Sequence, residues 1–267
     1  MADIDKQYHK LCEVVINTGY EYFTDNRPDV PCKQVTSANL EINLQKEFPL
    51  LTTKKMFTKG IVEELLWFLR GEDNVKSLND KGVTIWNKDA YNFYLNWCKE
   101  HDSQLVDIES FISVIGDSNS VTNTFGNVGR NYGVQWRHWT NVGSDIGIDN
   151  DILKPFDQIQ ELIANLCKPN PINRRHIVTA WNPAETNDTA LPPCHWAFEI
   201  LPRPLTYAMR IEASGKDVVW LNSLWQEAFS ISKDEDAKAT LDQELAHIPH
   251  YGFVLKWHQR SVDMFLG

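Results

Sequence analysis

"ALPPCHWAFEI", residues 190–200, places a cysteine directly behind two prolines and directly ahead of an apolar run. A thiol that only fills space needs no rigid approach, whereas one that must meet an electrophile at a fixed angle gains from a preset backbone. The run that follows, "HWAFEIL" (195–201), and the earlier "RHIVTAW" (175–181) read as buried strands, with "NPAETNDTALPP" as the loop between them. Cys194 therefore sits at a strand edge facing a cleft, where a nearby cation or hydrogen bond favours the reactive thiolate. An isolated cysteine is more commonly a core residue, and the Pro-Pro-Cys-His context tips the reading toward function. Neighbours on a strand face opposite sides, so His195 reads as a packed or hydrogen-bonded residue before it reads as a base for Cys194.

Outward from this strand the pattern becomes helical. Tyr8, Leu11, Cys12 and Val15 recur at helical spacing near the N-terminus, and Ile159, Leu162, Ile163 and Leu166 do so before "KPNP". In "TKGIVEELLWFLRG" Ile61, Leu65 and Phe68 form an apolar stripe that Gly71 is placed to end. Glu64 falls on that stripe and is expected to point its carboxylate inward, where it needs a partner or an altered pKa. Two regions, about 90–125 and 202–250, are mixed in pattern and poor in motifs. The chain, residues 1–267, thus reads as a single domain carrying two insertions, the second apolar enough to pack as a small subdomain.

The chain has 267 residues, 42% of them hydrophobic, enough for a real core, and its net charge of −10 argues against broad nucleic-acid binding. Any positive site must be local. "INRRHIV" offers Arg174 and Arg175, and "WHQRSVD" offers Arg260, Ser261 and Asp263, groups suited to a phosphate. Adjacent arginines on an extended segment diverge, so both reach one anion only at a bend or at a subunit boundary. Trp86, Trp136 and Trp139 suit either a core or the wall of an aromatic ligand site. Five scattered cysteines with no CxxC pair read as free thiols, and no metal site is expected. No stretch approaches the roughly 18 apolar residues of a membrane helix, and the N-terminus lacks a signal's apolar core. A cytosolic protein is expected, in the host cytoplasm if phage-encoded.

Six segments in order resemble the thymidylate synthase family: "EFPLLTTKKMFTKGIVEELLWFLRG" (47–71), "TIWNKDA" (84–90), "YGVQWRHW" (132–139), "INRRHIVTAWNP" (172–183), "ALPPCH" (190–195) and "HQRSVDMFLG" (258–267). The resemblance implies an α/β (α+β) fold, a mixed β-sheet with flanking helices that dimerises through the sheet. It also implies methylation of deoxyuridylate (dUMP) to thymidylate, with 5,10-methylenetetrahydrofolate as one-carbon donor and reductant. In that reading Cys194 is the nucleophile. Arg27, Arg260 and Ser261 bind the phosphate from one subunit, and Arg174 and Arg175 reach it from the other. Glu64, Tyr132 and His195 form a polar network for proton transfer, and Trp86, Asp89 and Asp263 lie on the folate side, Asp263 also near the reacting base.

The family pattern is not matched throughout. Glu199 stands where many members have glutamine, and Asp89 replaces a tryptophan found in bacterial members. The family continues beyond "MFLG" with a "PFN" segment, a His and Tyr pair and a closing tail, so the resemblance implies a chain lacking that C-terminal segment. A rival reading is a phage-type dUMP or dCMP 5-hydroxymethyltransferase, which shares the nucleophile but adds water in place of hydride. A reading from another class is an inactive truncated homologue serving as an assembly or RNA-binding partner.

Overall fold

The helical spacing of Tyr8, Leu11, Cys12 and Val15 is realised in α1 (Asp3–Thr18), which holds all four side chains half-buried. A computed structural model of the chain describes residues 2–24, 27–116, 125–140, 155–230 and 234–264. It divides into two units, Met1–Glu64 with Val262–Gly267, and Leu65–Ser261.

In the first unit, α1 is followed by an antiparallel pair, β1 (Tyr20–Thr24) and β2 (Arg27–Gln34). Asp5 is buried on α1 and accepts hydrogen bonds from the backbone and hydroxyl groups of both Thr52 and Thr53. Four donors to one carboxylate favour its ionised form, and the Thr52 hydroxyl above all brings its pKa down to about 2. This tie fixes the approach to α2 (Thr58–Leu69), which begins in this unit and ends in the second.

The α2 stripe differs from expectation. Ile61 and Leu65 are 45% and 44% exposed in this chain, while Trp67 and Phe68 are buried. Apolar residues surround this helix almost completely, at 61, 62, 65, 66, 67 and 68, so spacing alone could not select its buried face. Glu64 is half-buried.

The second unit continues through α3 (Lys76–Asn79), α4 (Asn87–Glu100), α5 (Ile108–Gly116), α6 (Tyr132–Arg137) and α7 (Gln158–Leu166). Its sheet has the order β3 (Ile177–Thr179), β4 (His195–Pro204), β5 (Tyr251–Gln259). The α+β class is as expected; both sheets among the described residues are antiparallel. The core joins Trp67 and Phe68 to Tyr132 and Trp136 of α6 and to Val178 and Phe198 of the sheet. Each such side chain contributes on the order of 1.5–3 kcal/mol by burial. Gly133 lets α6 approach this closely, since a Cβ there would lie 2.8 Å from the Phe68 carbonyl oxygen.

The stretch 90–125 is more regular than its pattern suggested. It contributes most of α4 and all of α5, and Tyr94, Cys98, Phe111 and Ile115 belong to the same core; residues 117–124 lie outside the described residues. Between β4 and β5, residues 205–250 form α8 (Tyr207–Ala213), α9 (Val218–Phe229) and α10 (Glu235–Glu244). These helices bury their own cluster of Ile211, Leu221, Leu241 and Leu245. Asp217 and Asp234 cap α9 and α10 with side-chain acceptors. Among the described residues, no helix is long and apolar enough to cross a membrane.

Candidate active site

Strand pairing builds the site. His195 at the start of β4 lies opposite Gln259 at the end of β5, so the residues flanking both strands, Cys194 and Arg260, become neighbours. The Arg260 N–H donates to the Cys194 carbonyl at 2.8 Å. Its guanidinium donates from Nε to the Pro193 carbonyl at 2.9 Å and from Nη2 to the Pro192 carbonyl at 3.0 Å. The same Nη2 lies 3.9 Å from the Cys194 Sγ, and Ser261 Oγ approaches that sulfur at 3.9 Å from another direction. Trp181 lies beneath, with its ring centroid 5.7 Å from the guanidinium carbon. The two prolines thus present carbonyls that a single arginine fork can hold, and the fork's remaining charge faces the thiol.

On the interior side, the Tyr132 hydroxyl accepts the Cys194 N–H at 2.7 Å. His195 stacks on Tyr132 with centroids 4.1 Å apart and packs against Trp257 at 5.0 Å. Burial between these rings lowers the His195 pKa from 6.5 to about 4, leaving the imidazole neutral at physiological pH. It is therefore placed to donate or accept one proton in a hydrogen bond, not to serve as a resident cation. Because the folded state holds fewer protons than the unfolded chain between these two values, stability falls as pH drops from about 6.5 toward 4. The expected slope approaches about 1.4 kcal/mol per pH unit. Urea unfolding at half-unit pH steps checks this, and His195→Gln should flatten the slope within that window.

Five sequence-predicted residues, Cys194, His195, Tyr132, Arg260 and Ser261, therefore converge. Arg174 and Arg175 are exposed in a bend before β3. His176 is buried with Nε2 2.6 Å from the Pro171 carbonyl, and the Arg175 N–H donates to Asn173 Oδ1 at 3.0 Å. Among the described residues neither arginine forms a salt bridge. Trp86 is only 6% exposed, packed against Trp67, Phe68 and Tyr132. Asp89 stands in the first turn of α4, half-buried, and burial raises its pKa. Arg27, Glu64 and Asp263 belong to the first unit: Arg27 opens β2, Glu64 lies on α2, and Asp263 is exposed after β5.

Glu199 is held away from the nucleophile. It accepts from His258 at 3.0 Å and pairs with Lys256 at 3.5 Å on the adjoining strand. Among the described residues, no group of three or more His, Cys, Asp or Glu side chains is placed to hold a metal ion.

Sequence reasoning missed Asn131, whose side chain caps α6 and donates to the Leu191 carbonyl at 2.9 Å. Its only signal was an asparagine directly ahead of a short helix. Trp181, under Arg260, was read only as the end of a strand.

A cysteine at a strand edge, with an arginine and a serine hydroxyl each 3.9 Å from its sulfur, defines a class of site suited to holding an anion beside a thiol. The thymidylate synthase family model matches residues 6–215. The chain is 39% identical over 194 residues to a thymidylate synthase of Malacoplasma penetrans, covering 73% of this chain and 60% of that protein. It is 37% identical over 194 residues to the thymidylate synthase of Mycoplasma genitalium, covering 73% and 61%. The relative from Mesoplasma florum, of the same name, is 34% identical over 195 residues, covering 73% of this chain and 61% of that protein. The chain belongs to the thymidylate synthase family, and it spans about 60% of the length of the curated relatives it matches.

Proposed function

We propose that this protein methylates deoxyuridylate to thymidylate, with the Cys194 thiolate as nucleophile. The observation that carries the reading is the convergence of Arg260 and Ser261 on the Cys194 sulfur, each at 3.9 Å. The thiolate adds to C6 of the uracil ring; the displaced π electrons pass to C5 and the C4 carbonyl, making C5 a nucleophile. 5,10-Methylenetetrahydrofolate supplies the one-carbon unit and the hydride.

The chain's own residues bind and orient. Arg260 offers charge to the nucleotide phosphate while its fork holds the Pro192 and Pro193 carbonyls, so the phosphate site and the nucleophile loop move as one. Ser261 adds a hydroxyl donor, and the Tyr132 hydroxyl and the neutral His195 ring line the inner wall. Arg27 belongs to the same phosphate site in this reading. Arg174 and Arg175 serve the site of a second copy in a homodimer formed through the sheet, which gives two exposed cations without a described partner a common anion. Glu64 and Asp263 act in proton transfer, with Trp86, Asp89 and Asp263 toward the folate. The described residues fit the nucleotide half of this reading more fully than the folate half, since Trp86 is buried behind Tyr132.

The direct test is a trapped adduct. With 5-fluorodeoxyuridylate and methylenetetrahydrofolate, fluorine at C5 blocks the proton loss that would release the enzyme. Intact-mass and peptide mass spectrometry should find one ternary adduct per chain, on the peptide containing Cys194. An adduct on another cysteine, or none at saturating ligand, rejects the reading.

A further inference from the structure

We infer that Asn131 is a positioning residue that seats the nucleophile loop, a role that rests on the function proposed above for Cys194. The loop has an unusual need. Pro192 and Pro193 lack N–H groups, so this stretch cannot brace itself with its own donors, and its carbonyls must be held from outside. Arg260 takes the carbonyls of Pro192 and Pro193. Asn131 takes the preceding one, donating from Nδ2 to the Leu191 carbonyl at 2.9 Å.

The other end of the same amide sets Tyr132. Asn131 is 2% exposed, and its Oδ1 accepts the Tyr132 N–H at 2.8 Å. Tyr132 in turn accepts the Cys194 N–H. A third tie, the Ala190 N–H to the Val128 carbonyl at 2.9 Å, fixes the loop's entry. Residues 190, 191 and 194 are thus registered against 128, 131 and 132, and Asn131 acts on both Leu191 and Tyr132. The side-chain amide supplies an acceptor to the helix and a donor to the loop at once, which an ionised carboxylate in its place does not. The thiol's 3.9 Å distances to Arg260 and Ser261 depend on that register.

Asn131→Asp separates the two jobs. The carboxylate still caps α6, but it faces the Leu191 carbonyl with an acceptor where a donor stood. Two measurements read the result. Hydrogen exchange at the Ala190 and Cys194 amides should accelerate at least about tenfold, with the central amides of β4 unchanged. The rate of adduct formation with 5-fluorodeoxyuridylate, per folded chain at pH 8, should fall at least about tenfold, while equilibrium affinity for deoxyuridylate stays within about threefold.

A pH series adds a signature that a merely structural role would not move. Lowering the pH from 8 to 5.5 protonates the introduced carboxyl, which regains a donor for Leu191, so the ratio of wild-type to variant rate should narrow. Unchanged exchange at 190 and 194, or a rate per folded chain equal to wild type, overturns the inference. So does a rate ratio that stays constant with pH. If the wild type forms no adduct while exchange in the variant accelerates as expected, the clamp stands and the proposed reaction is what fails.

Discussion

On the function proposed above, Cys194→Ser is expected to turn over deoxyuridylate at least about 10⁴-fold more slowly than the unaltered protein and still to bind it. Serine preserves the size of the side chain and leaves the ties from Tyr132 and Arg260 to the backbone in place, because those use the Cys194 N–H and carbonyl. What is lost is the thiol; an alcohol is a far weaker nucleophile at pH 7 without a strong adjacent base, and among the described residues the groups that face this side chain are Arg260 and Ser261. His195 does not supply such a base, because burial lowers its pKa to about 4 and leaves the imidazole a weak base held in the stack between Tyr132 and Trp257. Initial rates of dihydrofolate formation and a deoxyuridylate binding isotherm check the two halves. Turnover within tenfold of the original would move the nucleophile elsewhere. The remaining cysteines provide the control, with Cys98 lying 2% exposed in the core and Cys12, Cys32 and Cys167 outside the converged site.

The second large effect is a recovery. Arg175→Ala and Cys194→Ala are each expected to be nearly inactive alone, and mixing the two after subunit exchange should restore activity. In a mixed dimer whose sites borrow an arginine from the partner, one site carries both defects and the other carries neither. Random exchange of equal amounts makes half the dimers mixed, so the expected recovery is about a quarter of the unaltered activity. The exposed bend that carries Arg174 and Arg175 motivates the design, since His176 anchors it and leaves both guanidinium groups outward. No recovery despite demonstrated exchange would assign Arg175 to its own chain's site or to none.

The placing of Cys194 was legible because its context is local: two prolines, a cysteine and a strand are adjacent in sequence, and their geometry follows from backbone rules. The bend at Arg174 and Arg175 is one of the two arrangements that their adjacency left open, the other being a subunit boundary. His195 was rightly read as a packed residue from strand alternation. By contrast, the approach of Arg260 to Cys194 spans 66 residues and arises from strand register. Family resemblance placed Arg260 in the site, but nothing local pointed to its grip on the proline carbonyls. Two helices hid within 90–125, because their buried residues Tyr94, Phe111 and Ile115 lie among other apolar residues such as Phe93, Leu95, Ile112 and Val114 that blur the helical stripe. On α2 the difficulty was the reverse, apolar residues on every side. Asn131 escaped notice since an asparagine before a six-residue helix looks like any other cap, and its second bond depends on a loop 60 residues away.

The three-helix segment at 205–250 leaves the tip of the β4–β5 hairpin, while the thiol and its arginine sit at the opposite end of the same two strands. A short turn would hold the strands together from the start. Closing a connection of this length costs about 3 kcal/mol more in chain entropy than closing a two-residue turn. Part of that cost is offset when α8–α10 gather around Leu221 and Leu241 and bring the Pro204 and Tyr251 ends side by side. The hairpin can then zip away from the helices, residue pair by residue pair, until His195 meets Gln259. The contact between Cys194 and Arg260 thus rests on the register of a hairpin whose far end is closed by a segment holding none of the converged site residues.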